Sequence, residues 1–180
     1  MLEPLGIEVV PLSHFTRTAV AETGLTFVEN AIIKARHAAG LAQMPAIADD
    51  SGLEVDALHA APGIYSARYA GEHASDDDNL RKLLAALSGR KTAERTARYC
   101  CALVYMRWEN DPFPLLSQAS WEGRITEAPR GSGGFGYDPI FELPQRSVTV
   151  AELPAAEKNQ LSHRGQALRG LVAQLKSEVR

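Results

Sequence analysis

The chain has 180 residues, 45% of them hydrophobic, with a formal net charge of −3 and only two cysteines. A chain of this length makes one globular domain with a real core, and its slightly acidic balance argues against nucleic acid as the main partner. It has no run of about 18 apolar residues, so no membrane partner or membrane-spanning helix is expected.

Met1-Leu2-Glu3-Pro4 has neither the basic n-region nor the apolar h-region of a signal peptide. Residues 6–12 (Gly-Ile-Glu-Val-Val-Pro-Leu) are rich in β-branched side chains and predict a strand. Thr26-Phe27-Val28-Glu29 is a capping-box pattern that opens a helix to about Ala39, with Gly40 as its stop. Phe27, Ala31, Ala35 and Ala38 form its packed face, and Glu29, Asn30, Lys34 and Arg36 spread around the remainder.

After Pro45, the apolar run Ala46-Ile47-Ala48 predicts a buried strand ending in Asp49-Asp50-Ser51-Gly52. Adjacent carboxylates at a buried strand end need either a cation or a role as turn caps, and both readings stand on these residues. Leu53, Val55 and Ala57 alternate as a further extended piece. Residues 61–71, turn-rich yet aromatic, form either an ordered loop over a cleft or a surface loop packed by its own tyrosines.

Ser75-Asp76-Asp77-Asp78 starts a second helix with acids in its first turn. Capping explains this triplet better than a metal site. Leu80, Leu83, Leu84 and Leu87 make the apolar stripe, and Gly89 ends the helix. Residues 98–106 and 115–121 predict two strands joined through the turn Glu109-Asn110-Asp111-Pro112 as an antiparallel hairpin, with residues 123–126 extending the second. Cys100 and Cys101 are neighbours in the first of these strands and point to opposite faces, so they cannot pair; a reduced, cytoplasmic protein follows.

Residues 130–141 place Gly131, Gly133, Gly134 and Gly136 around Phe135 and Tyr137, followed by Asp138-Pro139. The glycines permit unusual dihedrals and close backbone approach to a ligand, and the aromatics can stack on a planar base. The stretch matches neither a Walker pattern nor GxGxxG. A binding loop explains it better than a linker does. Residues 148–153 predict a last extended segment, and Pro154-Ala155 open a short helical piece carrying Glu157 and Lys158. Ser162 can cap a final helix from His163 to about Val179, gathering Lys158, His163 and Arg164 near its N-terminus. Those cations suit an anionic or carbonyl-bearing ligand; solvated surface charge is the alternative. The expected fold class is α/β, a single domain with an elongated mixed β-sheet flanked by helices and a central nucleotide-binding groove.

Carboxylates for a metal, a glycine-aromatic loop for a ring and cations for an anion are all satisfied by a nucleoside triphosphate with Mg²⁺. Five motifs carry a specific resemblance. They are Thr23-Gly24-Leu25-Thr26-Phe27-Val28-Glu29-Asn30-Ala31, Ala48-Asp49-Asp50-Ser51-Gly52, residues 62–69, Gly134-Phe135-Gly136-Tyr137-Asp138-Pro139, and Glu157-Lys158 followed by Leu161-Ser162-His163-Arg164. In this order they resemble the non-canonical purine NTP pyrophosphatases, the inosine/xanthosine triphosphate pyrophosphatase family, over about residues 6–175.

The resemblance implies a homodimeric enzyme that hydrolyses ITP, dITP and XTP with Mg²⁺ to the monophosphate and pyrophosphate. Asp50 is then the catalytic carboxylate and a metal ligand, supported by Asp49, with Glu22 as second metal carboxylate. Ser51 contacts substrate, Phe135, Gly136, Tyr137 and Asp138 form the base pocket, Lys158 lies near the phosphates, and His163 and Arg164 read the purine edge. An arginine offers only donors, which suit the 6-oxo group of hypoxanthine and xanthine and leave adenine badly paired.

The chain departs from the family pattern at its start, where a first strand and a Thr-Gly-Asn-x-x-Lys phosphate-binding segment are expected and residues 1–7 do not supply them. The alternative expectation is therefore a nucleotide-binding protein with weak or no turnover. A haloacid dehalogenase-type phosphohydrolase needs Asp-x-Asp-x-Thr/Val, which Asp49-Asp50-Ser51-Gly52 does not provide.

Overall fold

The computed structural model describes residues 6–178. The reading of Met1-Leu2-Glu3-Pro4, and the Val179 end of the last helix, lie outside the described residues. Four helices, α1 (Phe27–Ala42), α2 (Asp76–Ala86), α3 (Ala155–Leu161) and α4 (His163–Glu178), accompany six strands, β1 (Ala46–Val55), β2 (Pro62–Gly63), β3 (Thr96–Met106), β4 (Leu115–Ile125), β5 (Phe141–Leu143) and β6 (Val148–Thr149). The strands hydrogen-bond in the order β2-β1-β3-β4-β5-β6. The pairs β1–β2, β4–β5 and β5–β6 are antiparallel, with Leu53 opposite Gly63, Ile125 opposite Phe141 and Glu142 opposite Thr149.

The chain divides into two compact units. The first takes Met1–Ser51, Cys101–Ala119 and Arg164–Arg180 as far as these are described; the second takes Gly52–Cys100 and Ser120–His163.

In the first unit, period-two alternation sorts the strand residues between two helices. Ala46 and Ala48 of β1 and Ala102, Val104 and Met106 of β3 pack against Ala31, Ala35 and Ala39 of α1. Ile47 of β1 and Cys101, Leu103 and Tyr105 of β3 pack against Ala167, Leu171 and Leu175 of α4. Thr26 caps α1 by accepting from the Glu29 N–H at 3.2 Å, while the Glu29 carboxylate accepts from the Leu25 N–H at 2.8 Å. Gly40 is not a stop: α1 runs on to Ala42, and Gln43 takes the left-handed cap conformation. A Cβ at Gly40 would lie 2.8 Å from the exposed Glu109 side chain.

Three strand expectations change. Residues 6–12 form no strand; the only element before α1 among the described residues is one helical turn, Leu12–His14. A strand needs a partner to take its backbone groups, and here Val9 is 64% exposed. β1 does not end at Asp49-Asp50 but runs through both to Val55, while Ala57 falls in the helical turn Asp56–Leu58. Of residues 148–153 only Val148–Thr149 is strand, followed by the turn Val150–Glu152 that Glu152 caps onto Thr149.

Asp111 holds the connection between β3 and β4. Its buried carboxylate accepts from the Arg107 backbone N–H (3.0 Å), from Arg107 Nε (2.9 Å) and an Nη (2.6 Å), and from the Phe113 N–H (3.0 Å). Hydrogen bonds from the Arg107 side chain, then the backbone N–H groups, hold this carboxyl well below the usual carboxylate range against the effect of burial. A depressed native value contributes stability that is full above the unfolded pKa of about 3.9 and lost as pH falls through the native value. Asp111→Asn is therefore expected to lower stability by about 2–3 kcal/mol at neutral pH. In thermal melts its deficit against the parent should shrink below about pH 4, where the parent loses the same contribution. A deficit that does not change with pH would refute this role.

In the second unit, Leu80, Leu83 and Leu87 of α2 pack on Leu53 and Val55 of β1, Ala97 and Tyr99 of β3, and Ile125, Ile140, Phe141 and Leu143. Ser75 and Asp78 form a reciprocal capping box at the start of α2, and Asp77 pairs with Arg81 one turn on, so the acid triplet caps its helix as the sequence predicts.

Candidate active site

Asp49 and Asp50 sit side by side on β1, and the pleat sends them to opposite faces. Asp50 follows Ala46 and Ala48 onto the α1 side; Asp49 follows Ile47 onto the α4 side. Each meets its own cation. The two carboxylates therefore neither confront one another nor cap a turn, and the turn reading is excluded by the continuous strand.

Asp50 is only 7% exposed. Its Oδ1 accepts from Lys34 Nζ at 2.6 Å and its Oδ2 from Asn30 Nδ2 at 3.4 Å. Lys34 Nζ also lies 2.9 Å from Glu22 Oε1, so two carboxylates converge on one ammonium. Asn30 and Lys34 are four residues apart on α1 and share a face, which places them both over Asp50. Burial pushes the Asp50 carboxyl above the usual carboxylate range, with the Glu22 charge adding to it, although Lys34 pulls the other way. Burial alone would lower the Lys34 ammonium, but its bonds to Asp50 and Glu22 outweigh that and raise it.

Asn30 and Lys34 were expected on the helix remainder; instead Asn30 is fully buried and Lys34 half-buried at the carboxylates. The signal was available in the sequence: a polar pair at i, i+4 bordering an alanine face requires buried partners.

On the other face, Asp49 Oδ2 accepts from Arg164 Nε at 2.8 Å and from the Ser51 hydroxyl at 3.0 Å. The direct partners of Asp49 are thus Arg164 and Ser51, and its side chain lies on the face away from Asp50. Cys101, on the same strand face as Leu103, is buried and free, and burial pushes its thiol up to about 11. Cys100 is likewise free and pushed up by burial to about 12, so both thiols stay protonated and unreactive.

The second unit holds the glycine-aromatic loop. Gly131, Gly134 and Gly136 have φ of +78°, +75° and +60°. Gly134 combines that left-handed backbone with contact against the Asp138 carboxylate, leaving no room for a Cβ. Asp138 is buried and organises the loop. Its Oδ2 accepts from the Phe135 N–H at 2.9 Å and pairs with Lys158 Nζ, and its Oδ1 accepts from the Tyr99 hydroxyl at 3.2 Å. Burial, with the Asp138 charge beside it, raises Tyr99 well above the usual tyrosine value, so it remains a donor.

Lys158 Nζ also sits 4.3 Å over the Phe135 ring, and that ring is 61% exposed. His163 stacks on Tyr99 with centroids 4.9 Å apart and 12° between the planes. The Tyr137 hydroxyl donates to the Ser66 carbonyl at 2.8 Å, and Gly136 N–H donates to Asp76 at 2.7 Å. Residues 130–141 are thus an ordered, anchored loop, not a linker.

Lys158, His163 and Arg164 were expected as one cluster. Their identified contacts differ: Lys158 goes to Asp138 and Phe135, His163 to Tyr99, and Arg164 to Asp49. Ser162 divides α3 from α4, so Lys158 belongs to α3 while His163 and Arg164 begin α4.

The sequence profile of the Ham1 family matches residues 1–174. The chain belongs to the Ham1 family. A curated protein of Vibrio parahaemolyticus named dITP/XTP pyrophosphatase is 61% identical over 179 residues, with 99% of this chain and 90% of that protein covered. One of the same name from Vibrio vulnificus is 58% identical, with 99% and 89% covered. A solved structure of a HAM1 protein from Coxiella burnetii is 50% identical, covers 98% of this chain and 89% of its own, and superposes with a TM-score of 0.92. The α/β architecture is therefore that of the Ham1 proteins.

Among the described residues of this Ham1 protein no three His, Cys, Asp or Glu side chains gather into a complete metal cage. The donors present are the carboxylates of Glu22 and Asp50, already drawn together around one positive charge. Oxygen donors of this kind fit a hard divalent cation that takes its remaining ligands from water and substrate phosphates. No described helix is long and apolar enough to cross a membrane.

Proposed function

We propose that this Ham1 protein hydrolyses the non-canonical purine nucleoside triphosphates ITP, dITP and XTP to the monophosphate and pyrophosphate. The observation that carries this reading is the convergence of Glu22 and the buried Asp50 carboxylate on the single Lys34 cation. The names of the curated relatives supply the substrate class.

In this reading Glu22 and Asp50 hold Mg²⁺ together with the substrate phosphates. When bound, that ion offsets phosphate charge and favours departure of pyrophosphate. Asp50 orients a water molecule and takes its proton as the water oxygen bonds to the α-phosphorus and the α–β bridging bond breaks. Lys34 keeps the two carboxylates in register, and Asn30 fixes the Asp50 carboxylate from its other oxygen.

For recognition, Phe135 presents a ring face for base stacking, in the loop of Gly136, Tyr137 and Asp138, and Lys158 supplies positive charge. His163 and Arg164 read the purine edge, and Ser51 contacts substrate. A homodimer working in the cytoplasm completes the reading.

The test is pyrophosphate release from dITP with and without Mg²⁺, by this chain and by Arg164→Ala. The expected result is Mg²⁺-dependent release, with the preference for ITP over ATP falling about tenfold or more in the variant. An unchanged ratio of kcat/KM for the two substrates would remove Arg164 from base reading. Binding of dITP with no release from the parent chain would make it a nucleotide-binding protein without turnover.

A further inference from the structure

A second charged cavity lies wholly within the second unit. It encloses about 300 Å³ and is lined by Arg95, Arg124 and Arg130 with Thr92, Glu127 and Glu142 among others. Arg95 is the unusual member, being only 3% exposed. Its guanidinium donates to three carbonyls: Leu87 at 2.8 Å, Ile125 at 2.8 Å and Thr126 at 2.7 Å. It meets no carboxylate within ion-pairing distance among the described residues. Three carbonyl dipoles, one of them at the C-terminal end of α2, solvate this charge without neutralising it.

The other two arginines share Glu142, and Arg130 also lies 3.7 Å from Glu152. Glu142, buried, accepts from Arg124 through Oε1 and from Arg130 through Oε2. That carboxylate fixes both guanidinium planes at the cavity wall. Of the carboxylates on the lining, Glu142 is thus committed to Arg124 and Arg130, and Glu127 is exposed, so neither answers the charge of Arg95. A buried guanidinium with no carboxylate partner among the described residues, beside a cleft with room for an anion, is the arrangement of an anion site.

We propose that this cavity binds a small oxyanion of the phosphate class, inorganic phosphate or pyrophosphate. Arg95 supplies the uncompensated charge, Arg124 and Arg130 supply oriented N–H donors, and Glu142 holds those two in place. This site shares no residue with the carboxylate pair in the first unit and is independent of the proposed hydrolysis.

The test follows the arginine Nε–H signals of the intact protein by NMR, with phosphate and pyrophosphate titrated separately at constant ionic strength and without divalent cation. Saturable shifts at Arg95, Arg124 and Arg130 with either oxyanion are expected, and whichever binds tighter is the occupant. Arg130→Gln should weaken that binding about tenfold, by removing one charge-assisted donor. Glu127→Gln, at an exposed position that should not trouble folding, should tighten it severalfold by removing a competing carboxylate. Absence of saturable shifts for both oxyanions at millimolar concentration overturns the proposal. So do shifts that are indifferent to both substitutions.

Discussion

Asp50→Asn is expected to lower kcat/KM for dITP by roughly 10²–10⁴-fold, the range spanned by loss of a general base, without loss of thermal stability. The activity arm follows from the buried carboxylate that faces Lys34 and Asn30. The stability arm follows from its titration. Burial raises the native pKa of Asp50, so its contribution to stability is fully present below the ordinary carboxylate value and is lost as pH rises through the raised one. At neutral pH the ionised carboxylate is thus a cost to the fold, and an amide in its place relieves it while Glu22 still accepts from Lys34. Melting of the metal-free variant at or above the parent temperature, together with lost pyrophosphate release, is the expected pair of results. A fully active variant would refute the catalytic role, and a sharply lowered melting temperature would refute the electrostatic account.

Asp138→Ala should destabilise the second unit by about 3–4 kcal/mol, because it strands three donors at once. The Phe135 N–H, the Tyr99 hydroxyl and the Lys158 ammonium all lose an acceptor, and Tyr99 is buried. For a chain of this size that is roughly 6–16 °C in melting temperature. Asp138→Asn, which keeps the shape and an acceptor oxygen but loses the charge facing Lys158, should fall between parent and alanine. If the loop places Phe135 against a base, both variants raise the KM for dITP more than they lower kcat. Equal melting temperatures for parent and Asp138→Ala would show that this carboxylate does not hold the loop.

Much of this architecture is legible in the chain. The capping residues Thr26 and Ser75 and the turn at Asp111 are local signals that local hydrogen bonding realises, and the leucine stripe of α2 is a periodic signal that core packing realises. The crowded glycines around Phe135 mark an ordered loop because glycine adopts those left-handed positions at little steric cost. Residues 6–12 failed as a strand because β-propensity describes a fit to a partner, and a sequence window contains no partner. The end of α1 was misplaced for a related reason. Gly40 reads as a stop, but α1 runs on to Ala42, past an Ala39 packed against β3 far along the chain.

The Asp49-Asp50 pair separates the two kinds of information most clearly. The sequence by itself determined the family, the α/β class, and the presence of carboxylates, cations and a glycine-aromatic loop, since these rest on residue type and order. Only the tertiary structure decided which charge answers which. The pleat of β1 parts the two aspartates to opposite faces. Helix periodicity on α1 delivers Asn30 and Lys34 to Asp50, and α4 delivers Arg164 to Asp49. A linear chain records that the charges exist. Their pairing depends on distances between residues 16 to 115 positions apart, and only folding fixes those distances.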